Sequence, residues 1–156
     1  MIESIPYKDY PILFVDDESM AILTLEKLFH DDFTVYTASN GEDAISVLER
    51  HPHIAMVVTD QKMPRISGLE LLIHVAEKYP KIINILVTAY SDLALVIKVI
   101  NKGNLYRYIA KPYDEEFLRE TIMKGLECYH RLNERDFFFE QHKEKQSSKK
   151  EGKAHT

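Results

Sequence analysis

Hydrophobic and polar positions along this chain follow two rhythms, short continuous apolar runs and longer stretches with helical spacing. The runs are Tyr10–Val15 (YPILFV), Phe33–Ala38 (FTVYTA), Ile54–Val58 (IAMVV), Ile82–Val87 (IINILV) and Leu105–Ala110 (LYRYIA). Short apolar or β-branched runs bounded by turn signals read as strands buried on both faces. Between them, apolar residues recur every three or four positions. They are Ala21, Ile22, Leu25, Leu28 and Phe29, then Ala44, Ile45, Val47 and Leu48, then Leu71, Leu72, Val75 and Ala76. Two further sets follow, Ala94, Val96, Ile97 and Ile100 over 91–102, and Leu118, Ile122, Leu126 and Tyr129 after Asp114. Ser39 with Glu42 and Ser67 with Glu70 have capping-box spacing, Ser91 and Asp114 can cap the last two helices, and Gly103 suits a left-handed C′ position. Five strands alternating with five helices predict an α/β fold with a doubly wound, five-stranded parallel sheet.

The same patterning divides the chain. Residues 1–9 contain Pro6 and no periodicity and read as a lead-in. The domain proper spans 10–130, a helix extension covers 131–140, and 141–156 (QHKEKQSSKKEGKAHT) reads as a polar tail or linker without fixed structure. Three adjacent aromatics, Phe137 to Phe139, cannot share one helix face. The expectation is a helix over 114–140 that dimerises or docks against an output domain, with a helix folded back on its own body as the plain alternative.

Composition adds three constraints. The chain has 156 residues, enough for one full core, and a net charge of −5. The tail holds five Lys against two Glu, a net +3, which leaves −8 on residues 1–140. So acidic a body argues against non-specific nucleic-acid binding. The single cysteine, Cys128, excludes an internal disulfide and reads as an inert helix residue. With no signal-like start and no run of membrane-spanning length, a cytoplasmic protein without membrane attachment is expected.

The candidate chemistry lies where the strands end. Strand one delivers Asp16 and Asp17, strand three Asp60, strand four Thr88 and strand five Lys111. In a parallel sheet these ends share one edge, the place where open α/β folds bind ligands. Three carboxylates brought together repel unless a cation sits among them, and an all-oxygen set without His or Cys favours Mg²⁺ over zinc. A metal, a carboxylate nucleophile, an ammonium and a hydroxyl compose a phosphoryl-transfer site. Asp60 would attack phosphorus, with Lys111 and the metal neutralising charge and Thr88 binding an oxygen. No glycine-rich phosphate cradle is present, so a nucleotide donor is not expected. Taken singly, each residue has a plainer role: Asp16–Asp17 as a helix cap, Lys111 as a solvated charge, Tyr108 as packing. His51 and His53 read as a solvated loop.

The spaced motifs VDDE (15–18), TDQKMP (59–64) with Gly68, VTAYSD (87–92) and YRYIAKP (106–112) resemble the receiver domain of two-component response regulators over residues 10–130. The resemblance implies a flavodoxin-like fold and a role for Asp60 as acceptor of a phosphoryl group from a histidine kinase's phosphohistidine or a phosphotransfer protein. It implies that Asp17, Asp60 and the backbone carbonyl of Lys62 hold Mg²⁺, with Asp16 acting largely through water. Thr88 and Tyr108 would form the switch, and the Lys111–Pro112 peptide would be cis. Phosphorylation would then shift a two-state equilibrium on the face made by the fourth helix, the fifth strand and the fifth helix. Lys62 and Tyr90 should flank the phosphoryl approach path, and bulky Tyr90 is expected to shield the acyl phosphate from water.

Two rival classes are worth stating. A Mg²⁺-dependent aspartate-nucleophile phosphatase of the haloacid dehalogenase kind would place its nucleophile in a DxD pattern after strand one, where this chain has Asp16–Asp17–Glu18. A phosphate-independent binding module on the same fold would not need Asp60, Thr88 and Lys111 together. An enzyme is therefore not expected, beyond a phosphoacceptor that promotes its own phosphoryl transfer and dephosphorylation. The wording around Asp60 and the YRYIAKP ending resembles receivers joined to HD-type cyclic-dinucleotide phosphodiesterases or transcriptional activators, so a C-terminal output domain outside this stretch is a possible partner.

Overall fold

The computed structural model describes residues 5–92, 94, 97 and 105–154. Five strands, β1 (Ile12–Val15), β2 (Val35–Ala38), β3 (Met56–Asp60), β4 (Ile83–Ala89) and β5 (Leu105–Lys111), form one sheet in the order β2-β1-β3-β4-β5. Every pairing is parallel. Helices α1 (Ser19–Phe29), α2 (Gly41–Arg50) and α3 (Gly68–Lys78) connect the early strands, and a C-terminal helix runs over Glu115–Ala154. The fourth predicted helix, 91–102, lies outside the described residues except for 91, 92, 94 and 97, as does Gly103.

Alternation along the strands builds two cores. Leu13, Val15, Val57 and Leu86 point to one face with Leu48 of α2 and Leu71, Leu72 and Val75 of α3. Ile12, Phe14, Met56, Val58 and Ile85 point to the other, against Phe29 of α1 and Leu118, Ile122 and Leu126 of the C-terminal helix. Both faces are covered, which is why the strands read as unbroken apolar runs. Burying a side chain of this size stabilises by about 1.5–3 kcal/mol. At Gly125 the C-terminal helix packs close over β3 and β4, where a Cβ would displace the flexible end of Met56 and crowd Ile83 at 3.3 Å.

The local signals mostly act as expected, with two differences. Ser67 caps α3 by accepting from the Glu70 N–H, and its hydroxyl lies 3.2 Å from the Glu70 carboxylate. Asp114 caps the C-terminal helix by accepting from the Glu116 N–H at 3.1 Å. At α2 the cap is Asn40 instead of Ser39, with Asn40 Oδ1 accepting from the Asp43 N–H at 2.8 Å. Asparagine caps as well as serine, and Gly41 behind it starts the helix one residue later. The C-terminal helix also continues through Ala154, past the end near residue 140 expected from lost apolar periodicity. Lys, Glu and Gln are good helix formers, so propensity sustains a helix that periodicity does not mark.

The segment before β1 is tied to the C-terminal helix at the amino edge of the sheet. The Tyr7 hydroxyl donates to the Glu127 carboxylate at 2.8 Å, and Tyr10 hydrogen-bonds the ring Nδ1 of His130, whose Nε2 meets Glu134 at 3.1 Å. Arg119 clamps the end of α1, reaching Asp32 at 2.7 Å and the Leu28 carbonyl at 2.8 Å. His51 and His53 lie in the loop after α2 as expected, His53 exposed and His51 half-buried, and both also pack on Tyr36, with His51 stacked on it at 4.3 Å between centroids. Packing on this half-buried aromatic ring helps hold them, and no metal group includes them among the described residues.

Candidate functional site: an acidic crevice at the carboxyl edge of the sheet

Register assembles the site. Val15 pairs with Thr59, so the next residues, Asp16 and Asp60, emerge side by side. Asp60 pairs with Val87, which sets Thr88 one step beyond it on the neighbouring strand. Thr88 in turn pairs with Ala110 and Ala89 with Lys111. Four strands thus deliver the predicted residues to one edge, and α1 begins directly behind Asp16 and Asp17.

Asp60 is the centre of this arrangement. Its side chain is 12% exposed, and its Oδ1 accepts from the Lys111 ammonium at 3.1 Å and from the Gln61 N–H at 3.0 Å. Among the described residues no hydrogen bond or ion pair engages its Oδ2. One carboxylate oxygen from each of Asp16, Asp17 and Asp60 lies within 4.8 Å of the others. Asp16 is buried, and its Oδ1 accepts from the Glu18 N–H at 3.0 Å. Burial pushes the Asp16 carboxyl up from its ordinary range; the Glu18 N–H works against this, and the charge of Asp60 adds to it. For Lys111, burial acts to lower the ammonium, but the hydrogen bond and charge of Asp60, with Asp16 and Glu18 behind it, outweigh burial and move it up.

The loop after Asp60 is held by residues that sequence reasoning did not single out. Gln61 is buried; its side-chain oxygen accepts from the Leu69 N–H at 2.9 Å and its carbonyl from the Gly68 N–H at 3.0 Å. A Cβ at Gly68 would sit 2.1 Å from the Asp60 carbonyl oxygen, so only glycine allows α3 to start against the acceptor strand. The TDQ…G spacing carried that signal, but only the close approach explains it. Arg65 adopts a positive φ of 69° in the same loop.

The remaining predicted residues are placed as follows. Thr88 is fully buried, its hydroxyl donating to the Ala89 carbonyl at 3.3 Å. Tyr108 is 39% exposed, with its ring on the surface of β5. Lys62 is a largely exposed ammonium 4.0 Å from Asp92. The Lys111–Pro112 peptide is cis. The side chain of Tyr90 lies outside the described residues. Tyr113, unremarked in the sequence, lines the crevice wall beside Asp16, Asp60 and Lys111.

Comparison with known proteins agrees with this geometry. The family described as response regulator receiver domain matches residues 12–123. The hydrogenase transcriptional regulatory protein HoxA of Cupriavidus necator is 32% identical over 121 residues, covering 78% of this chain and 25% of that protein. The chain therefore spans about a quarter of the length of HoxA. A chemotaxis protein CheY homolog of Campylobacter jejuni is 33% identical over 117 residues, covering 71% of this chain and 88% of the homolog. Among solved structures, the signal receiver domain of an HD domain-containing protein from Pseudomonas fluorescens superposes with a TM-score of 0.72 at 30% identity, covering 78% of this chain and 97% of that one. A response regulator receiver domain protein from Clostridium thermocellum gives 0.74 at 28% identity, over 79% and 98%. With an Asp–Lys contact at the carboxyl edge of a β2-β1-β3-β4-β5 sheet, the chain belongs to the response regulator receiver domain family of two-component systems.

Proposed function

We propose that Asp60 accepts a phosphoryl group from the phosphohistidine of a sensor kinase or phosphotransfer protein. The observation that carries this is the Asp60–Lys111 contact at 3.1 Å, with two further carboxylates facing the same crevice. Asp60 Oδ1 is occupied by two donors, which orients Oδ2 outward as the attacking oxygen. The O–P bond forms as the N–P bond breaks, and the imidazole leaves with its electron pair. Lys111 stays beside the new acyl phosphate and offsets its added charge.

The donor set suits a hard divalent cation. Asp16, Asp17 and Asp60 supply only oxygen, and no histidine or cysteine belongs to the group. Asp17, Asp60 and the Lys62 carbonyl would hold Mg²⁺, with Asp16 acting through water. When bound, Mg²⁺ neutralises charge on the transferring phosphoryl oxygens. Thr88 and Tyr108 are proposed as the switch. The Thr88 hydroxyl exchanges the Ala89 carbonyl for a phosphoryl oxygen, and the half-exposed Tyr108 ring turns inward behind it. The same site returns the protein to rest by hydrolysis of its own acyl phosphate.

The test is phosphorylation by acetyl phosphate in Mg²⁺. The wild type should gain one acid-labile phosphoryl group per chain by intact mass. Asp60→Asn should gain none, and an unchanged mass gain in that variant would falsify the assignment.

The output is proposed from the far helix. Phe137, Phe138 and Phe139 are 63%, 59% and 62% exposed on a helix that runs on to Ala154. Apolar area of this kind favours a second copy or an output domain as its cover. HoxA, a transcriptional regulatory protein by name, extends well beyond the aligned stretch. Replacing all three phenylalanines by alanine should shift gel filtration from dimer toward monomer; an identical profile removes the self-association reading.

A further inference from the structure

The crevice beside Asp16 and Asp60 encloses a cavity of about 20 Å³, room for about one water molecule. Asp16, Asp60, Lys111 and Tyr113 supply its polar wall, and apolar side chains including Leu25 and Leu118 close it. Three of these polar groups already have protein partners. Asp60 Oδ1 holds Lys111 and the Gln61 N–H, and Asp16 Oδ1 holds the Glu18 N–H. Asp16 and Tyr113 both line this cavity, and among the described residues neither the second Asp16 oxygen nor the Tyr113 hydroxyl makes a hydrogen bond.

Resting on the receiver reading above, we propose that the Tyr113 hydroxyl, through one water in this cavity, holds the Asp16 carboxylate in the orientation that cation binding needs. Tyr113 is then a positioning residue: it touches neither the phosphoryl group nor the metal. A water bridging a hydroxyl and a carboxylate is nearly as favourable as a direct hydrogen bond. It also provides a donor to a buried carboxylate whose charged form is otherwise poorly solvated. The hydroxyl is suited to donate at every physiological pH. Burial raises it; Lys111 alone acts to lower it, while the charges of Asp16 and Asp60 hold its proton more firmly. The position is fixed on both sides, by the end of β5 at Lys111 and by the Asp114 cap of the C-terminal helix. A phenylalanine would fill the same wall and lose only the donor.

The experiment compares wild type, Tyr113→Phe and Tyr113→Leu. Mg²⁺ affinity is read by calorimetry with the metal alone, phosphorylation rate with acetyl phosphate, and thermal stability without metal. Removing a partner behind a direct metal ligand costs roughly 10-fold or more in affinity, and less behind Asp16, which reaches the metal through water. Tyr113→Phe should therefore bind Mg²⁺ more weakly by about 3-fold to 10-fold and phosphorylate more slowly at low Mg²⁺. Its rate should recover at saturating Mg²⁺, and its melting temperature should stay within about 3 °C of wild type. Tyr113→Leu should lose no more Mg²⁺ affinity than Tyr113→Phe does. Wild-type affinity in Tyr113→Phe overturns the proposal, as does a defect confined to Tyr113→Leu, which would assign the residue to packing. A Tyr113→Phe variant that loses affinity and melts well below wild type overturns it too. If the wild type itself binds no Mg²⁺ and accepts no phosphoryl group, the receiver assignment fails first and separately.

Discussion

At the carboxyl ends of the strands, Asp16, Asp17 and Asp60 bring their carboxylates within a few ångströms of one another, and Asp60 pairs with the Lys111 ammonium. At the amino ends of the same strands, Tyr7 and Tyr10 are tied one to one with Glu127 and His130 of the C-terminal helix. Both edges are rich in titratable groups, but only the first gathers like charges. The amino edge satisfies each donor with a nearby acceptor and so anchors the helix. The carboxyl edge keeps carboxylate repulsion that Lys111 only partly offsets, which a cation can relieve. One sheet thus separates anchoring from chemistry by direction alone, because every strand runs the same way.

Three substitutions would break or sharpen this contrast. The largest effect is expected from Lys111→Ala, which removes the ammonium from Asp60. Losing one charge-stabilising donor costs on the order of 10²-fold in rate. Phosphorylation by acetyl phosphate should fall by about that factor, while the Tyr7 and Tyr10 contacts at the other edge stay intact by NMR. A rate within about threefold of wild type would show that Lys111 is a bystander.

Asp16→Asn should act with the opposite sign on stability. The folded protein raises the Asp16 carboxyl above its unfolded value, so folding favours the protonated form. That contribution is present below the unfolded range and is lost as pH rises through the folded value. At pH 7 the charged Asp16 therefore weighs against folding. The asparagine variant should melt higher than wild type without Mg²⁺ at neutral pH, and the gap should close as pH falls through the carboxylate range. Mg²⁺ should stabilise the variant less than wild type. A variant that melts lower at pH 7 and regains nothing toward acid would contradict the strained-site picture.

The smallest effect belongs to the anchoring edge. Tyr7→Phe deletes the bond to Glu127, a loss of about 1 kcal/mol for a partly exposed hydrogen bond to a charged acceptor. Burial, then the Glu127 bond and charge, raise the Tyr7 hydroxyl to about 12 from 10. Folding again favours the protonated form, so its contribution holds below about pH 10 and fades between 10 and 12. Urea titrations should show wild type losing more stability than Tyr7→Phe across that alkaline window. Equal losses would mean that the tie at the amino edge carries no weight. The phosphorylation rate at neutral pH should not change, which is the sharper half of the test.

How much of this was legible beforehand depended on the range of the interaction. Strands buried on both faces announce themselves as apolar runs, so the five-strand parallel sheet and the convergence of Asp16, Asp60, Thr88 and Lys111 followed from local pattern and topology. The cap at α2 was misplaced by one residue because Ser39 and Asn40 are nearly equivalent caps and only the backbone path chooses between them. Gln61 carried no chemical signature; its importance comes from bonding α3 across eight residues. The loop of His51 and His53 was legible, but their contact with Tyr36 was not, because nothing in their own neighbourhood predicts it. The full reach of the C-terminal helix escaped a periodicity argument, since propensity alone carries it past Glu140.

The sequence by itself determined the alternation of elements, the sign of the charge at each strand end and the residue types able to move a phosphoryl group. These are properties of single residues and their spacing, and a parallel sheet turns spacing into a shared edge. Tertiary structure alone decided which Asp60 oxygen is engaged by Lys111 and Gln61, and that Tyr113 joins the wall behind Asp16. It also decided that Gly68 must admit the Asp60 backbone and that the amino edge is tied to the C-terminal helix. Those facts depend on contacts between residues far apart in the chain, where burial and distance set both the energy and the chemistry.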